Sequence, residues 1–176
     1  MNEAAVEAVI LAINALGAGL LLFVSGVVQR TMNDMDELEF KAFAQTLVRN
    51  ATSDPFAATI ATIPIFAVIF YFVMYGFDHW WFTAGIIIWM IASSITKITN
   101  LPVYAWIKDP KNTDPEELRK KRRTLQLGNN WRAWLTLLSV VVMACQFSID
   151  GTTIAVASCV VITAPSLWLA RKYFRN

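Results

Sequence analysis

The feature that most constrains this chain is a series of five apolar stretches, each long enough to cross a bilayer as a helix. Crossing the hydrocarbon core takes about 20 predominantly apolar residues. Hydrophobic residues make up 56% of the chain, charged residues make up 16%, and the mean hydropathy is +0.48. Soluble domains average about 45–50% apolar and about 25% charged residues. We therefore expect a multi-pass integral protein of the cell (inner) membrane, in contact with the lipid bilayer.

We predict an all-α integral membrane helical bundle with five transmembrane helices, forming a single membrane domain over residues 1–176. The predicted spans are Ala8–Val28, Phe56–Phe77, Phe82–Trp106, Asn129–Ser148 and Thr152–Ala170. One long kinked helix is the alternative for the last two spans, which only Ile149–Asp150–Gly151 separates. Such a helix of 42 residues would be about 63 Å long, roughly twice the bilayer thickness. Because Asp-Gly is also a common turn dipeptide, we predict two spans.

The distribution of Lys and Arg outside the spans predicts the orientation of the bundle. From the N-terminal tail to the C-terminal tail, the six segments outside the spans carry zero, three, zero, seven, zero and three basic residues. Short cytoplasmic loops carry an excess of Lys and Arg. We therefore predict that the N-terminus lies outside and the C-terminus lies in the cytoplasm.

Both basic connectors contain predicted helices. The first holds an amphipathic cytoplasmic helix between spans one and two, running roughly from Met35 to Arg49, with Asn33 and Asp34 in position to cap it. In the second, Asp114-Pro115 is typical of a helix start, and the basic run Arg119–Arg123 follows. This run either fixes the orientation or binds anionic lipid. A net charge of +2 gives no reason to expect nucleic-acid binding.

Polar residues within the third and fourth spans form the candidate functional site. The third span carries Ser93, Lys97, Asn100 and Tyr104 at spacings of 4, 3 and 4 residues, with Thr96 beside them. The fourth span carries Asn129, Arg132, Thr136 and Ser139 at spacings of 3, 4 and 3 residues. These spacings place each set on one helix face. Because polar and charged side chains are costly against lipid, we expect both faces to point into the bundle.

Antiparallel packing of these two spans brings Asn100 and Tyr104 close to Asn129 and Arg132. Lys97 and Arg132 then share one region, and none of the predicted spans supplies an acidic residue. We therefore predict a polar cationic pocket for a small molecule with a phenolate, enolate or carboxylate group. The alternative is that the polar residues join helices by hydrogen bonds, while Lys97 extends toward the interface.

We expect no metal site and no cofactor. The chain has one histidine, His79, which excludes a multi-histidine site. Asp78 and His79 lie on the same predicted side of the membrane as Glu3, Glu7 and Asp150, and together they could form a carboxylate-plus-histidine metal site. However, a single histidine in a hydrated loop gives little support for metal binding. The sequence contains no phosphate-binding glycine motif.

Three segments resemble the anthrone oxygenase-like family of small integral membrane proteins. Gly19–Met32, followed by the segment Asp36–Arg49, is similar to the family's first helix and connector. Thr96…Asn100-Leu101-Pro102-Val103-Tyr104 resembles its Thr…Asn-x-Pro-x-Asn motif, with Tyr104 where the family usually has a second Asn. Asn129-Asn130-Trp131-Arg132 resembles its Asn-x-x-Arg motif. The likeness runs from about Gly17 to Gln146, and the fifth span is additional to the family's four helices.

This resemblance implies oxygenation of a lipophilic fused-ring phenolic, an anthrone to a quinone, without metal or flavin. It implies that Asn100, Asn129 and Arg132 bind and polarise the substrate oxygen, because such chemistry needs a base and a cationic site for the anion that forms. From the polar faces rather than from the resemblance, we add Lys97 as base or electrostatic stabiliser. The same faces add further substrate-binding residues: Ser93, Thr96, Tyr104 and Thr136.

Two other functions remain open at the level of the sequence. One is a noncatalytic accessory or assembly subunit, in which the polar faces contact a membrane-protein partner or a second copy of the chain. The other is a small transporter or lipid-binding protein. The five spans do not divide into matched halves, which weakens the case for a transporter.

Overall fold

The computed structural model describes residues 2–174, with side chains up to residue 172, and each of its elements is a helix. The six helices are α1 (Glu3–Asp34), α2 (Glu37–Ser53), α3 (Pro55–Tyr75), α4 (Trp80–Lys108), α5 (Pro115–Ala144) and α6 (Ile149–Phe174). Two of them contain a short π-helical segment: Val24–Val28 in α1 and Thr96–Asn100 in α4.

Four helices are long and apolar enough to cross a membrane: α1, α3, α4 and α6. They coincide with the first, second, third and fifth predicted spans. The remaining predicted span is the second half of α5, where Asn129, Asn130 and Arg132 lower the hydropathy. This helix runs for 30 residues without a break at Gly128, so the basic connector and the apolar segment form one continuous element.

The ends of two helices differ from the prediction. Helix α2 is capped by Asp36, because Asn33 and Asp34 still belong to α1. The Asp36 side chain accepts hydrogen bonds from the amides of Leu38 and Glu39 (2.9 and 2.8 Å), and Glu39 accepts one from the Asp36 amide, which completes a capping box. Asp150 and Gly151 lie in the first turn of α6, and the break between α5 and α6 lies just before, at residues 145–148.

The helices form two apolar clusters, one from α1, α3, α4 and α5 and the other from α1, α2, α4 and α5. One cluster contains Val6, Ile10, Val68, Tyr71, Phe82, Ile86 and Met143. It lies at the end of the bundle that we call the acidic end, because Glu3, Glu7 and Asp78 are there. The other cluster contains Met32, Phe40, Ala44, Val103, Ile107, Leu118 and Leu125. It lies at the end that we call the basic end, beside α2 and the connector of residues 109–114.

Two basic side chains at the basic end hold α2 in place. The ammonium of Lys41 donates hydrogen bonds to the carbonyls of Asp109, Pro110 and Asn112, at 2.7, 3.2 and 2.9 Å. The Arg122 guanidinium donates to the carbonyls of Asn33, Met35 and Asp36 and lies 4.8 Å from the centroid of the Phe40 ring. Lys41 and Arg122 therefore use their side chains to hold the connectors in place rather than to contact lipid.

Helix α6 lies apart from the bundle. Among its residues 149–172, every side chain except that of Thr152 is exposed. Its exposed surface is mainly apolar, with residues such as Ile154, Val160, Leu167 and Trp168, and this composition suits contact with lipid acyl chains.

Candidate functional site

Two glycines allow α4 and α5 to approach closely. A Cβ at Gly85 would lie 2.9 Å from both the Ser139 carbonyl oxygen and the Met143 amide nitrogen. A Cβ at Gly128 would overlap the side-chain oxygens of Thr99 and Asn100. Small residues allow this kind of close backbone approach between membrane helices. Together, the two contacts fix the register in which the predicted polar faces of α4 and α5 meet.

A chain of side-chain amides connects α4, α5 and α1 near the basic end. Asn100 is fully buried and donates from Nδ2 to Oδ1 of Asn129 at 2.7 Å. Asn129 donates in turn to Oε1 of Gln29 at 3.1 Å, and Gln29 donates to Oδ1 of Asn33 at 3.1 Å. We call these four residues the amide network. The predicted contact between Asn100 and Asn129 is confirmed.

The two π-helical segments lie next to this network. Gln29 follows the segment Val24–Val28, and Asn100 ends the segment Thr96–Asn100. A π-helical turn contains one more residue than an α-helical turn and often occurs at functional sites. The extra residue changes which side chains share a face. Asn100 is buried in the amide network and Lys97 is exposed, so these two residues of the predicted stripe have different surroundings.

A cavity of about 580 Å³ lies between α1, α3, α4 and α5. Five of the eight predicted site residues line it: Ser93, Thr96, Lys97, Arg132 and Thr136. The remaining three do not line the cavity. Asn100 and Asn129 lie in the amide network, and Tyr104 is half-buried, within electrostatic range of Arg132.

The cavity has two positive charges and mainly apolar walls. Arg132 is half-buried and Lys97 lies exposed at its edge. Among the side chains described, neither residue has a hydrogen-bond or ion-pair partner, and the cavity has no acidic lining residue. Apolar residues such as Ile13, Ile60 and Trp89 form much of the remaining wall. This combination suits an apolar molecule that carries one anionic oxygen.

The cavity opens through the side of the bundle. Four of its apolar lining residues are exposed, and they come from three helices: Leu20 of α1, Ile65 of α3, and Met90 and Leu101 of α4. Since these helices are apolar enough to lie in a membrane, the opening faces the region that lipid would fill.

Two polar residues near the site were missed by the sequence analysis. Gln29 lies one residue beyond the predicted end of the first span, but α1 continues to Asp34 and carries Gln29 into the bundle. Asn14 lines the cavity and donates to the Ile10 carbonyl at 3.0 Å. Amides inside or just beyond an apolar span were the available signal, because membrane helices rarely hold them without a partner.

A second polar cluster lies at the acidic end. One oxygen of Glu3, one oxygen of Glu7 and Nδ1 of His79 all lie within 4.8 Å of one another. The hydrogen bond with Glu7 raises the pKa of the His79 imidazole above its ordinary value. The sequence did not predict that these three residues meet. They meet because α1 packs against the turn that precedes α4.

Comparison of the chain with protein-family models, curated proteins and solved structures finds no match. The resemblance to the anthrone oxygenase-like family therefore rests alone on the three segments described above: Gly19–Met32 with Asp36–Arg49, the motif around Asn100 and the motif around Asn129.

Proposed function

We propose that the protein binds a lipophilic small molecule, whose phenolate, enolate or carboxylate oxygen contacts Arg132 and Lys97 in the cavity. The single observation that carries this proposal is the pair of cations that have no partner among the described side chains in an otherwise mainly apolar cavity. A cation inside a membrane bundle is normally paired, and a desolvated charge without a partner is costly. An anionic oxygen would supply the partner, and fused rings would fill the apolar part.

The membrane orientation forms part of the proposal. Five spans, with the N-terminus outside and the C-terminus in the cytoplasm of the cell (inner) membrane, place α2 and the basic end on the cytoplasmic side. This arrangement follows the excess of Lys and Arg in short cytoplasmic loops. The second half of α5 would then cross the membrane within the bundle, with its buried polar residues Asn129, Thr136 and Ser139 facing the other helices rather than lipid.

The reaction we propose is the one implied by the family resemblance, the oxygenation of an anthrone to a quinone. Loss of a proton from the central methylene gives an electron-rich anion, and its negative charge is shared with the oxygen of the anthrone carbonyl group. Dioxygen then supplies one oxygen atom to the new carbonyl, and the other leaves as water with the two methylene hydrogens. The protein would lower the barrier by removing the proton and by stabilising the anion.

Arg132 and Lys97 have different positions and therefore different proposed roles. Arg132 lies deeper and would hold the negative oxygen with its fixed guanidinium donors. Lys97 lies at the edge of the cavity and would act as the base or as a second electrostatic contact. Asn100 donates a hydrogen bond to Asn129, and Asn129 donates one to Gln29. These contacts favour a role in positioning α5 over direct contact with the substrate.

Quinone formation by the purified protein in detergent tests this function. A hydroxylated anthrone is supplied in air, oxygen uptake and quinone absorbance are followed, and the spontaneous rate is subtracted. We expect Arg132→Ala to reduce the rate at least 100-fold and the matched control Arg171→Ala, an exposed residue of α6, to change it less than twofold. Equal rates for wild type and Arg132→Ala would contradict the proposal. Quenching of tryptophan fluorescence by the ligand, lost in Trp89→Phe, reports binding separately from chemistry, because Trp89 is the tryptophan that lines the cavity.

A noncatalytic accessory subunit is the second candidate, and the exposure of α6 favours it. A helix that touches little of its own bundle is available to pack against another membrane protein. In that case the protein would co-purify with a larger complex, and Arg132→Ala would leave the activity of that complex unchanged.

A further inference from the structure

Four polar side chains from three parts of the bundle converge at the acidic end. Oε1 of Glu7 lies 2.6 Å from Nδ1 of His79 and accepts a hydrogen bond from the Tyr71 hydroxyl at 2.9 Å. Oε1 of Glu3 lies 3.5 Å from the same His79 nitrogen and 3.4 Å from the Tyr71 oxygen. We call these four residues the acidic-end cluster.

The helices explain why these residues meet. Glu3 and Glu7 are four residues apart on α1, so their side chains lie on one face. Tyr71 comes from the last turns of α3, and His79 immediately precedes α4. The apolar cluster around Ile10 and Phe82 packs directly below, so the polar groups are held by packed helices rather than by a loose loop.

The charges of the acidic-end cluster do not balance. Two carboxylates face one imidazole, which contributes at most a single positive charge. Residues 1–29, 50–96 and 133–170 contain no Lys or Arg, so the segments that form this end of the bundle offer no basic side chain other than that of His79. Glu7 is only 2% exposed, and a buried carboxylate needs compensation. One divalent cation beside a neutral imidazole would balance both carboxylates.

We infer that Glu3, Glu7 and His79 form a binding site for one divalent transition-metal ion such as Zn²⁺. Two carboxylate oxygens and one imidazole nitrogen are the donor types that such ions use. Tyr71 would hydrogen-bond to the Glu7 ligand and orient it, as groups around metal sites commonly do. The site is separate from the cavity between α1, α3, α4 and α5, and the inference is independent of the proposed function.

One of the two distances to His79 fits this donor set directly, and the other requires a small movement. Metal–oxygen and metal–nitrogen bonds of about 2.0–2.2 Å place neighbouring ligand atoms about 3.0–3.5 Å apart. Glu3 and His79 are at 3.5 Å, and the 2.6 Å contact between Glu7 and His79 has to widen by less than about 1 Å. The side chains of Glu3 and His79 are 31% and 35% exposed, so the ion has a path from solvent.

Titration calorimetry of the full chain in detergent with Zn²⁺ alone tests the site, after chelator treatment and removal of the chelator. We expect one ion per chain for the wild type. Binding should weaken at least tenfold in both His79→Gln and Glu3→Gln. The matched control Asp78→Asn removes an adjacent acid that lies outside the cluster, and it should change the affinity less than twofold.

Equal binding by wild type and His79→Gln would overturn the inference, as would the absence of Zn²⁺ binding by the wild type. The same holds if Asp78→Asn loses as much affinity as Glu3→Gln, because the ion would then bind to general acidic charge. Glu3 is partly exposed and outside the apolar cluster, so Glu3→Gln decides the question if His79→Gln fails to fold. A Zn²⁺-dependent rise in melting temperature that occurs in the wild type and not in either variant supports the site.

Discussion

Asn100 of α4 and Asn129 of α5 are joined by a 2.7 Å hydrogen bond at a point where both side chains are almost fully buried. The contact lies beside Gly128, whose missing side chain leaves space for the Asn100 amide. Arg132 lies one turn further along α5 and lines the cavity. The amide pair therefore connects the packing of the two helices to the position of the cationic side chain.

A double-mutant cycle on Asn100 and Asn129 should reveal coupling. Each single change to Ala removes the hydrogen bond between the two side chains while the other amide remains, and the double change removes both amides. Hydrogen bonds between membrane helices average about 0.6 kcal/mol and reach about 1.7 kcal/mol, so we expect a coupling free energy in that range from unfolding in mixed micelles. Asn130→Ala, an exposed neighbour, should show no coupling to Asn100. Additive effects of the Asn100 and Asn129 changes would contradict a shared contact.

Gly128→Ala should destabilise the protein. The new methyl group would overlap the side-chain oxygens of Thr99 and Asn100, and relief of that overlap requires α4 and α5 to separate or the amide pair to break. Overpacking of this kind costs about 1–3 kcal/mol.

Gly19→Ala supplies the matched control for Gly128→Ala. Nothing lies within 4 Å of a Cβ at Gly19, and Ala is favoured over Gly in a helix by up to about 1 kcal/mol. The melting temperature should fall for Gly128→Ala and stay the same or rise for Gly19→Ala. The reverse order would mean that the close approach at Gly128 does not matter for stability.

Arg122→Lys should loosen α2. The guanidinium reaches the carbonyls of Asn33, Met35 and Asp36 with separate N–H groups and lies over the Phe40 ring. A lysine ammonium keeps the charge but lacks the planar fork that makes these contacts together.

Amide hydrogen exchange of α2 measures this loosening. We expect faster exchange across residues 37–53 in Arg122→Lys and unchanged exchange in Arg123→Lys, which alters an exposed neighbour in the same basic run. Identical exchange in both variants would show that Arg122 contributes no more than its charge.

The sequence predicts four of the helices and one contact between them, but not every side-chain position. Four spans could be predicted because long apolar stretches determine where a helix can meet lipid. The pairing of Asn100 with Asn129 followed from the antiparallel course of consecutive helices. The different surroundings of Lys97, which lines the cavity, and Asn100, which joins the amide network, could not be predicted, because a constant helical period cannot anticipate the π-helical segment Thr96–Asn100. Sequence spacing along single helices carries no information on such a local change of pitch.

The acidic-end cluster and the role of Gln29 depend on which helices become neighbours. Glu7 and His79 are 72 residues apart, and Gln29 and Asn129 are 100 residues apart. Nothing in the periodicity of either segment specifies those contacts. The residue types alone predict that Glu7 and Gln29 each have a polar partner, because an amide or a carboxylate near an apolar span needs one. They do not predict which residue that partner is.

Arg132→Gln should have opposite effects on stability with and without ligand. The half-buried guanidinium has no hydrogen-bond or ion-pair partner among the described side chains, so its removal should leave the melting temperature of the ligand-free protein unchanged or higher. Residues tuned for binding often reduce stability in this way.

A ligand present at about 100 times its dissociation constant stabilises the wild type by about 2.7 kcal/mol. A hydroxylated anthrone should therefore raise the melting temperature of the wild type and of the control Arg123→Gln, but not that of Arg132→Gln. A fall in the melting temperature of ligand-free Arg132→Gln, with the ligand effect intact, would identify Arg132 as a structural residue and remove the basis for the binding proposal.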